Sequence, residues 1–382
     1  MPPDTPSDPV ALPIVLSSTF AFENSGDLAA AVQGGKPHLY TRWSNPTCQA
    51  LEERVAAMEG ADWSIGCSSG MAAITLALLS GQNRGGTLLV QQPVYGGTHE
   101  LVTDILPGFG MEIQRVDLED LEDAAGALVP GSSIFLETPA NPTIRLVDVA
   151  AIRKAAPEGT VISVDATFAT PVNYRPMEHG ADLVVHSATK YLGGHHDVIA
   201  GIISGRSELY ERIWNLRKLL GPTLDPSAAY RVWRGLETLE LRVRKQNENA
   251  RLLAERLKDH PNVRRVHHPA LGSHPDHELY TRLDLEVGGV FSFELKCYEE
   301  AVEFADNLKL FRNAASLGGT HSLITLPAGV THAGLSEDER VASGIPGGLL
   351  RLSVGLENPD SLWADIVQAM ERLVWSSSLD GK

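Results

Sequence analysis

Short apolar runs alternate with helical patterns between about residues 45 and 234. The runs at 87–91, 133–137, 161–165 and 183–186 are rich in β-branched residues and almost continuously apolar. Strands that are covered on both faces have this character, as in a parallel sheet with helices on either side. This part of the chain therefore predicts a large α/β domain built on a mostly parallel sheet.

The pattern then changes to apolar positions at helical spacing, which predict a long helical stretch with a charged outer face. These positions, separated by three, four or seven residues, are Val232, Leu236, Leu239, Val243, Ala250, Leu253 and Leu257. Strand signals at 289–295 and 349–354 follow, and a helical pattern at 361–373 closes the chain. Together they predict a smaller C-terminal α/β domain.

The start of the chain is rich in proline, glycine and polar residues, which predict an arm with little core of its own. We therefore expect three parts. They are an N-terminal arm at 1–44, a large domain at 45–235 and a C-terminal domain at 236–382.

Composition is that of a folded, acidic protein. A chain of 382 residues with 43% hydrophobic residues can bury two cores. The 48 acidic and 32 basic residues give a net charge of −16, which disfavours nucleic acid and anionic membranes as partners. The three cysteines are far apart, without metal-ligand spacing, and no signal peptide or membrane-spanning run is visible. We expect a cytoplasmic protein without a metal site.

Lys190 is the first candidate for chemistry, because it lies in a turn directly after an apolar strand. Residues 182–194 read DLVVHSATKYLGG. A lysine at a strand end can lie in a desolvated cleft, where it loses a proton readily and forms a Schiff base with an aldehyde. Ser187 and Thr189 offer hydroxyls suited to phosphate oxygens. Taken alone, the segment is more typical of a loop with an exposed lysine.

Asp165 is the second candidate, because it ends the apolar run VISVD upstream of Lys190. A pyridine nitrogen stays protonated when an anion faces it, and a protonated ring is the better electron sink. The alternative for Asp165 is a helix N-cap. Strand ends of an α/β sheet meet at one edge, where ligands bind, so Asp165 and Lys190 are expected to face one cleft.

Two weaker signals precede them. The turn CSSGM at 67–71 opens an apolar helix, and backbone N–H groups at a helix start bind phosphate well. Tyr95, in QPVYGG at 92–97, follows a strand and could stack on a flat cofactor. Taken singly, an ordinary turn and a core tyrosine are equally good interpretations.

Together and in this order, the motifs resemble the Cys/Met-metabolism branch of the fold-type-I pyridoxal-phosphate (PLP) enzymes. The resemblance continues in YTRWSNPT at 40–47, ETPANPT at 137–143, SLGG at 316–319 and LRLSVGLE at 350–357. It implies an aspartate-aminotransferase-like α/β fold, PLP as cofactor and an amino acid as substrate. The branch includes cystathionine β- and γ-lyases, cystathionine γ-synthase, methionine γ-lyase and the homoserine sulfhydrylases.

The resemblance implies a role around PLP for each motif residue. Lys190 is expected to bind the cofactor covalently and to move protons. Tyr95 is expected to stack on the ring and to assist proton transfer, and Asp165 to face the pyridine nitrogen. The residues expected to hold the phosphate are Gly70, Met71, Ser187 and Thr189.

Other roles concern the substrate and the neighbouring subunit. Arg351 is expected to bind the substrate α-carboxylate with its bidentate fork, and Ser316 to lie beside it. Asn141 is expected near both the substrate and the phenolic oxygen of PLP. Tyr40 and Arg42 are expected to reach the phosphate site of a neighbouring subunit. The site would then be complete only in a dimer, and the family usually forms a homotetramer of two dimers.

The reaction subtype depends on a few further positions. Ala315 stands where γ-lyases and γ-synthases of the branch usually carry a glutamate, and it matches the small apolar residue of methionine γ-lyases. Gly96 stands where methionine γ-lyases usually have a cysteine, and Glu100 where γ-acting enzymes often have a basic residue. We expect Glu100 to bind substrate, either repelling a distal carboxylate or meeting a distal ammonium. No subtype fits fully.

The expected function is that of a PLP-dependent carbon–sulfur lyase in sulfur amino-acid metabolism. It would cleave cystathionine or a similar thioether amino acid by β- or γ-elimination to an oxo-acid, ammonia and a thiol. Cystathionine γ-synthase, O-acylhomoserine sulfhydrylase and methionine γ-lyase are the alternatives within the branch. A PLP-binding paralogue without activity is the alternative outside it.

Overall fold

The computed structural model describes residues 9–34, 38–81, 85–330, 337–342 and 344–379. Its strands, within these ranges, form a larger sheet and a smaller one. The larger sheet consists of β1 (Trp63–Cys67), β2 (Leu88–Gln92), β3 (Ile113–Asp117), β4 (Ser133–Glu137), β5 (Val161–Asp165), β6 (Leu183–His186) and β7 (Gly201–Gly205). The smaller sheet consists of β8 (Arg265–His267), β9 (Val290–Glu294), β10 (Arg312–Asn313), β11 (Leu323–Thr325) and β12 (Leu349–Ser353).

Helices cover the sheets and connect their strands. The α-helices are α1 (Ser25–Gly34), α2 (Pro46–Glu59), α3 (Gly70–Gly81), α4 (Gly96–Glu100), α5 (Leu121–Gly126), α6 (Val149–Ala155), α7 (Thr170–Asn173), α8 (Tyr210–Leu220), α9 (Pro226–Leu236), α10 (Leu239–Leu257), α11 (His277–Leu283), α12 (Tyr298–Asn307), α13 (Glu337–Ala342) and α14 (Pro359–Leu379). Short 3₁₀ turns lie at Leu106–Phe109, Leu118–Asp120, Pro176–His179, Ser207–Leu209 and Pro327–Gly329, and a π-helical turn at Leu101–Ile105. None of the helices within the described ranges has the length and apolar character needed to cross a membrane.

The larger sheet has the order β1-β7-β6-β5-β4-β2-β3, and its strands are parallel from β6 to β3. The antiparallel strand β7 lies between β1 and β6. The predicted runs at 133–137, 161–165 and 183–186 are confirmed as β4, β5 and β6 with the same bounds. The run at 87–91 is shifted by one residue in β2. The mostly parallel sheet is therefore confirmed.

Strand β7 was missed because glycines stand at both of its ends, where the sequence carries little strand signal. These glycines permit close packing that a side chain would block. A Cβ atom on Gly201 would lie 2.0 Å from the carbonyl oxygen of Ser69, and one on Gly205 would lie 2.4 Å from the Trp63 ring. Strand β7 therefore supports the turn that opens α3.

The predicted helical stretch from 232 to 257 is interrupted between α9 and α10. Arg242 explains the break, because its guanidinium donates hydrogen bonds to the carbonyl oxygens of Gly235, at 2.7 Å, and Tyr191, at 2.8 Å. The end of α9 is thus tied to the segment that follows Lys190. Gly235 also packs too closely for a side chain, since a Cβ there would lie 2.3 Å from the Leu192 carbonyl oxygen.

Helix α10 contributes to the cores of both sheets. Leu239 and Val243 pack in the core that contains β4 and β5, whereas Leu253 and Leu257 pack in the core that contains β9 and β12. One helix thereby fixes the smaller sheet against the larger one. The domain bounds at 45–235 and 236–382 stay a prediction, as does the arm, which carries the unpredicted helix α1 and lies partly outside the described residues.

Candidate active site

A cavity of about 320 Å³ lies at the edge where the parallel strands end. Strands β4 and β5 are in register there, with Glu137 opposite Asp165. Residues of the smaller sheet and its loops close the cavity from the other side. The predicted residues that line it are Gly70, Met71, Tyr95, Asn141, Asp165, Ser187, Thr189, Lys190, Ser316 and Arg351. The structure thus brings together ten residues that come from distant parts of the chain.

Lys190 is the one primary amine in the lining. Its Nζ donates a hydrogen bond to the Ser316 hydroxyl at 3.1 Å. Burial, together with the positive charge of Arg351, lowers the pKa of Lys190 to about 8. A fraction of this amine, larger than for an ordinary lysine, is therefore neutral near physiological pH, and the neutral amine is the form that reacts with an aldehyde.

Asp165 is buried at the end of β5 without an Arg or Lys partner among the described residues. Its Oδ1 accepts hydrogen bonds from the backbone N–H and the hydroxyl of Thr167, at 2.9 and 2.5 Å. Burial raises the pKa of Asp165, and the Thr167 hydrogen bonds oppose that rise. Such a carboxylate is stabilised by a cationic group placed beside it, and a protonated pyridine is one.

Three small features surround the space beside Lys190. A Cβ atom on Gly70 would lie 2.7 Å from the Cβ of Ser187, so glycine lets the start of α3 approach the β6 end. The N–H of Ser187 donates to the Thr167 hydroxyl at 2.8 Å. The Thr189 hydroxyl is engaged with the backbone of Ala200, at 3.1 and 3.0 Å.

Arg351 lies in β12 and is 3% exposed. Its guanidinium donates to Oδ1 of Asn141 at 2.8 Å and to the carbonyl oxygen of Ser316 at 3.0 Å. Its buried Nε has no hydrogen-bond partner within the described part of the chain. Burial lowers the pKa of Arg351 to about 10. A buried guanidinium that forms no ion pair with a described residue is suited to bind an anionic group that enters the cavity.

Ser316 connects Lys190 with Arg351, because its hydroxyl accepts from the first and its carbonyl oxygen from the second. Its backbone has φ 102°, in the left-handed region that non-glycine residues rarely adopt. Such a conformation costs roughly 1–3 kcal/mol and is kept where the surrounding structure holds it. The amine and the guanidinium are thereby held at the same loop.

Glu137 lines the same cavity, although the sequence identified it only as part of a motif. Its two carboxylate oxygens accept from the backbone N–H groups of Tyr95, at 2.7 Å, and Asn141, at 2.8 Å. Burial and the neighbouring Asp165 raise the pKa of Glu137. One side chain therefore fixes the loops that carry Tyr95 and Asn141. Its position at a strand end, like that of Asp165, is the signal that could have identified it.

Three predicted residues lie outside this cavity. Tyr40 is 42% exposed, and Nη1 of Arg42 donates to the carbonyl oxygen of Lys218 at 2.5 Å. Glu100 is exposed at the end of α4 and is absent from the lining, so the chain does not bring it to Lys190. The cross-subunit role of Tyr40 and Arg42 stays a prediction.

The donor set fits PLP. Four features surround one space. They are the Lys190 amine with its lowered pKa, the buried Asp165 carboxylate, the aromatic ring of Tyr95, and the turn where Gly70 lies close to Ser187. These groups correspond to the aldehyde, the ring nitrogen, the ring face and the phosphate of PLP. No group of three or more potential metal ligands occurs in the part of the chain that the structure describes.

An α/β fold of this topology with this cavity defines a fold-type-I PLP-dependent enzyme. The chain belongs to the family of Cys/Met metabolism PLP-dependent enzymes, whose model matches residues 2–371. The predicted family, fold class and PLP cofactor are confirmed. The predicted enzyme class, a PLP-dependent enzyme that acts on carbon–sulfur bonds, is also confirmed.

Relatives with several reactions are about equally similar to the chain. An L-methionine γ-lyase of Fusobacterium nucleatum is 41% identical over 373 residues, covering 95% of this chain and 94% of its own. A cystathionine β-lyase of Bacillus subtilis is 39% identical over 367 residues, covering 95% and 92%. Sequence identity alone therefore does not separate these reactions.

Solved structures agree with the fold. Cystathionine γ-synthase of Xanthomonas oryzae, in complex with aminoacrylate and cysteine, superimposes with a TM-score of 0.88 at 39% identity, covering 95% of this chain and 93% of its own. A candidate O-acetylhomoserine (thiol)-lyase of Campylobacter jejuni has a TM-score of 0.91 at 33% identity, covering 96% of both chains, and contains a pyridoxyl-lysine phosphate.

Proposed function

We propose that the protein cleaves the carbon–sulfur bond of cystathionine or a similar thioether amino acid. The reaction is a β- or γ-elimination that releases a thiol, and hydrolysis by one water molecule then gives an oxo-acid and ammonia. The observation that carries the proposal is the link through Ser316, which holds the Lys190 amine and the Arg351 guanidinium at one cavity. The guanidinium forms no ion pair with a described residue. An amino acid offers a carboxylate to the guanidinium while its Cα lies beside the amine.

Each residue of the cavity is assigned a role that follows from its charge and position. Bound PLP supplies an electron sink next to the amino-acid nitrogen. Asp165 keeps the ring nitrogen protonated, and Arg351, with Asn141, orients the substrate carboxylate. Lys190 Nζ removes and returns the Cα proton, since its pKa of about 8 lets it act in either protonation state near neutral pH.

Tyr95 is assigned two tasks at the mouth of the cavity. Its ring covers one face of the cofactor space, and its hydroxyl supplies a proton to the departing sulfur. Gly70, Met71, Ser187 and Thr189 are assigned to the phosphate. To donate to a phosphate oxygen, the Thr189 hydroxyl would give up the hydrogen bond that it donates to the Ala200 carbonyl oxygen and keep the one that it accepts from the Ala200 N–H.

Carbon–sulfur bond formation by γ-replacement is the second candidate. The similarity to cystathionine γ-synthase and to a candidate O-acetylhomoserine (thiol)-lyase favours it. Methionine γ-lyase activity is a third, supported by Ala315 and the 41% identity of one such enzyme. A paralogue without activity is disfavoured, because Lys190, Asp165 and Arg351 line one cavity.

The products distinguish these reactions. Purified protein with PLP is incubated separately with cystathionine and with methionine, and the oxo-acid is identified by mass spectrometry. Pyruvate from cystathionine indicates β-elimination, and 2-oxobutanoate indicates γ-elimination. Absence of any oxo-acid or thiol from either thioether would contradict the proposed lyase.

Glu137→Gln is expected to lower kcat/KM at least about fivefold. A glutamine offers one acceptor oxygen, so the backbone N–H of Tyr95 or Asn141 would face an amide donor. Leaving a buried N–H unpaired costs about 1–3 kcal/mol, roughly 5–150-fold. Steady-state kinetics should show a raised KM as well as a lower kcat, because Asn141 contacts Arg351.

The matched control for this change is Glu278→Gln, at an exposed glutamate of α11. It should leave both constants unchanged. The pH profile gives a second readout, since Glu137→Gln removes a carboxyl group whose pKa is raised by burial and by Asp165. Wild-type kinetics and an unchanged profile in Glu137→Gln would show that Glu137 does not position the site.

We also propose that the protein is cytoplasmic and forms a homotetramer in which Tyr40 and Arg42 complete the neighbouring site. The position of Tyr40 and Arg42 outside the cavity of their own chain supports the shared site. The three cysteines form no disulfide, which supports the cytoplasmic location. Arg42→Ala should then weaken PLP retention, measured by dialysis and cofactor absorbance. The cause is loss of a charged phosphate contact.

Mixing Arg42→Ala subunits with Lys190→Ala subunits should restore activity to about one quarter of wild type. Half of randomly mixed dimers are hybrids, and each hybrid has one intact site of two. Each variant alone is the control. Failure of hybrids to gain activity, with hybrid assembly shown by native mass spectrometry, would place the whole site within one chain.

A further inference from the structure

Glu59 and His186 form a buried pair beside the active-site cavity. Nε2 of His186 lies 2.6 Å from Oε1 of Glu59, and both side chains are 0% exposed. Within the described part of the chain this is the one hydrogen bond that either side chain makes, since Oε2 of Glu59 and Nδ1 of His186 have no partner. Neither residue belongs to the lining of the cavity, so any effect on a bound cofactor is transmitted through other residues.

His186 is the last residue of β6, and the strand places it next to Asp165. Val184 packs in the same core as α2, whereas Val185 packs in the other core of the larger sheet. Side chains alternate along a strand, so His186 faces α2, whose last residue is Glu59. Asp165 pairs with Val185 in the neighbouring strand, one position from His186. The buried pair therefore lies behind the strand ends that carry the cofactor carboxylate.

A chain of hydrogen bonds leads from this strand end to Asp165. The backbone N–H of Ser187, the residue after His186, donates to the Thr167 hydroxyl at 2.8 Å. The same hydroxyl donates to Oδ1 of Asp165 at 2.5 Å. Because its oxygen accepts from the N–H, the Thr167 hydroxyl is oriented with its proton toward the carboxylate. The bond between His186 and Glu59 fixes the strand end from which this chain starts.

Charge acts on Asp165 in the same direction as the hydrogen bonds. When the proton shared by the pair is on His186, the ring carries a positive charge near two buried carboxylates, Glu59 and Asp165. Burial raises the pKa of Asp165, and the Thr167 hydrogen bonds and the nearby His186 oppose that rise. A buried charge is tolerated where it is paired and hydrogen-bonded, and the pair contributes to both conditions for Asp165.

We infer that Glu59 and His186 are positioning residues that keep the Asp165 carboxylate ionised and oriented toward the ring nitrogen of PLP. The inference goes beyond the proposed reaction and rests on the proposed placement of Asp165 at that nitrogen. An ionised carboxylate keeps the pyridine nitrogen protonated, and a protonated ring is the better electron sink. Loss of the pair should therefore weaken binding of a cofactor that has a ring nitrogen more than binding of one that lacks it.

The test compares PLP with deaza-PLP, in which a C–H group replaces the ring nitrogen while the aldehyde and the phosphate are kept. PLP is removed from each purified protein with hydroxylamine, and the Kd of each cofactor is measured by quenching of tryptophan fluorescence. His186→Gln should raise the ratio of Kd for PLP over Kd for deaza-PLP by roughly tenfold, as expected for a lost interaction with a charged group. Glu59→Gln, which keeps an acceptor oxygen for His186, should raise the ratio less.

The NMR chemical shift of an isotopically labelled ring nitrogen gives a second readout that is independent of affinity. In the wild-type protein with labelled PLP, the shift should be that of a protonated pyridine. In His186→Gln it should move toward the value of an unprotonated pyridine, because the Asp165 carboxylate is less stabilised in its charged form.

His267→Gln is the matched control. Nε2 of His267 also lies 2.6 Å from a glutamate oxygen, Oε1 of Glu294, but this pair belongs to the smaller sheet and does not line the cavity. The variant should keep the wild-type ratio. Asp165→Asn is the reference and should raise the ratio by itself. Adding His186→Gln to Asp165→Asn should change the ratio no further, because the pair acts through Asp165.

An unchanged ratio in His186→Gln, whether both affinities fall equally or neither falls, would assign the pair a structural role and overturn the inference. A further rise of the ratio in the double variant would overturn it as well. If His186→Gln binds neither cofactor, Glu59→Gln decides in the same way. An unchanged ratio in Asp165→Asn would refute the placement of Asp165 at the ring nitrogen, and the inference with it. These binding measurements require no cleavage of a thioether, so the proposed lyase reaction stands or fails separately.

Discussion

Lys190→Ala is expected to abolish covalent attachment of PLP and to lower turnover by roughly 10²–10⁴-fold from loss of the proton-transferring amine alone. The primary amine at this position has no substitute in the cavity lining. Its pKa of about 8 follows from burial and from Arg351, and alanine retains neither the nucleophile nor the base. The wild-type protein should be yellow with bound PLP, and the variant should lose that covalent absorption band.

Borohydride reduction followed by peptide mapping measures the attachment directly. The wild-type protein should carry the reduced cofactor on the peptide that contains Lys190, and Lys190→Ala should carry none. Lys245→Ala, at a partly exposed lysine paired with Glu248, is the control and should be labelled like wild type. A label on any other lysine would refute the assignment.

Arg351→Ala has the second largest expected effect, a rise in KM of roughly 30-fold to several thousand-fold with PLP still bound. Losing a buried charged hydrogen bond to a carboxylate costs roughly 2–5 kcal/mol. Arg351 contacts Asn141 and Ser316, and its Nε has no hydrogen-bond partner among the residues that the structure describes. Steady-state kinetics with cystathionine measure the rise, and absorbance confirms that PLP is retained.

The Arg351→Lys variant distinguishes the effect of the positive charge on KM from the effect of the planar guanidinium. A lysine keeps the positive charge but not the planar fork, so its KM should lie between those of wild type and Arg351→Ala. Arg244→Ala, at an exposed position of α10, should keep the wild-type KM. A normal KM in Arg351→Ala would show that another group holds the substrate carboxylate.

Strands β2, β4, β5 and β6 of the larger sheet could be predicted because they are buried on both faces and read as almost continuous apolar runs. Asp165 and Lys190 were found for the same reason, since Asp165 ends such a run and Lys190 lies in the turn that follows another. Parallel strands place their carboxyl ends at one edge, which is why two residues of different elements could be expected in one cleft. Glu137 carries the same signal and was missed as an individual residue.

The other half of the site could not be worked out from local patterns. Arg351 and Asn141 are 210 positions apart, and their contact depends on how the smaller sheet packs on the larger one. Only the resemblance to a family identified Arg351 and Ser316. The break between α9 and α10 depends on Arg242, whose partners lie outside its own helix.

Cleavage of a carbon–sulfur bond in preference to its formation is tested most directly by comparing initial rates. One reaction contains the protein, PLP and cystathionine, and a second contains cysteine with an O-acylhomoserine in place of cystathionine. Mass spectrometry measures pyruvate and 2-oxobutanoate in the first and cystathionine in the second. We predict that oxo-acid forms faster from cystathionine than cystathionine forms from its precursors. Faster formation of cystathionine than degradation of any thioether would contradict the proposed lyase.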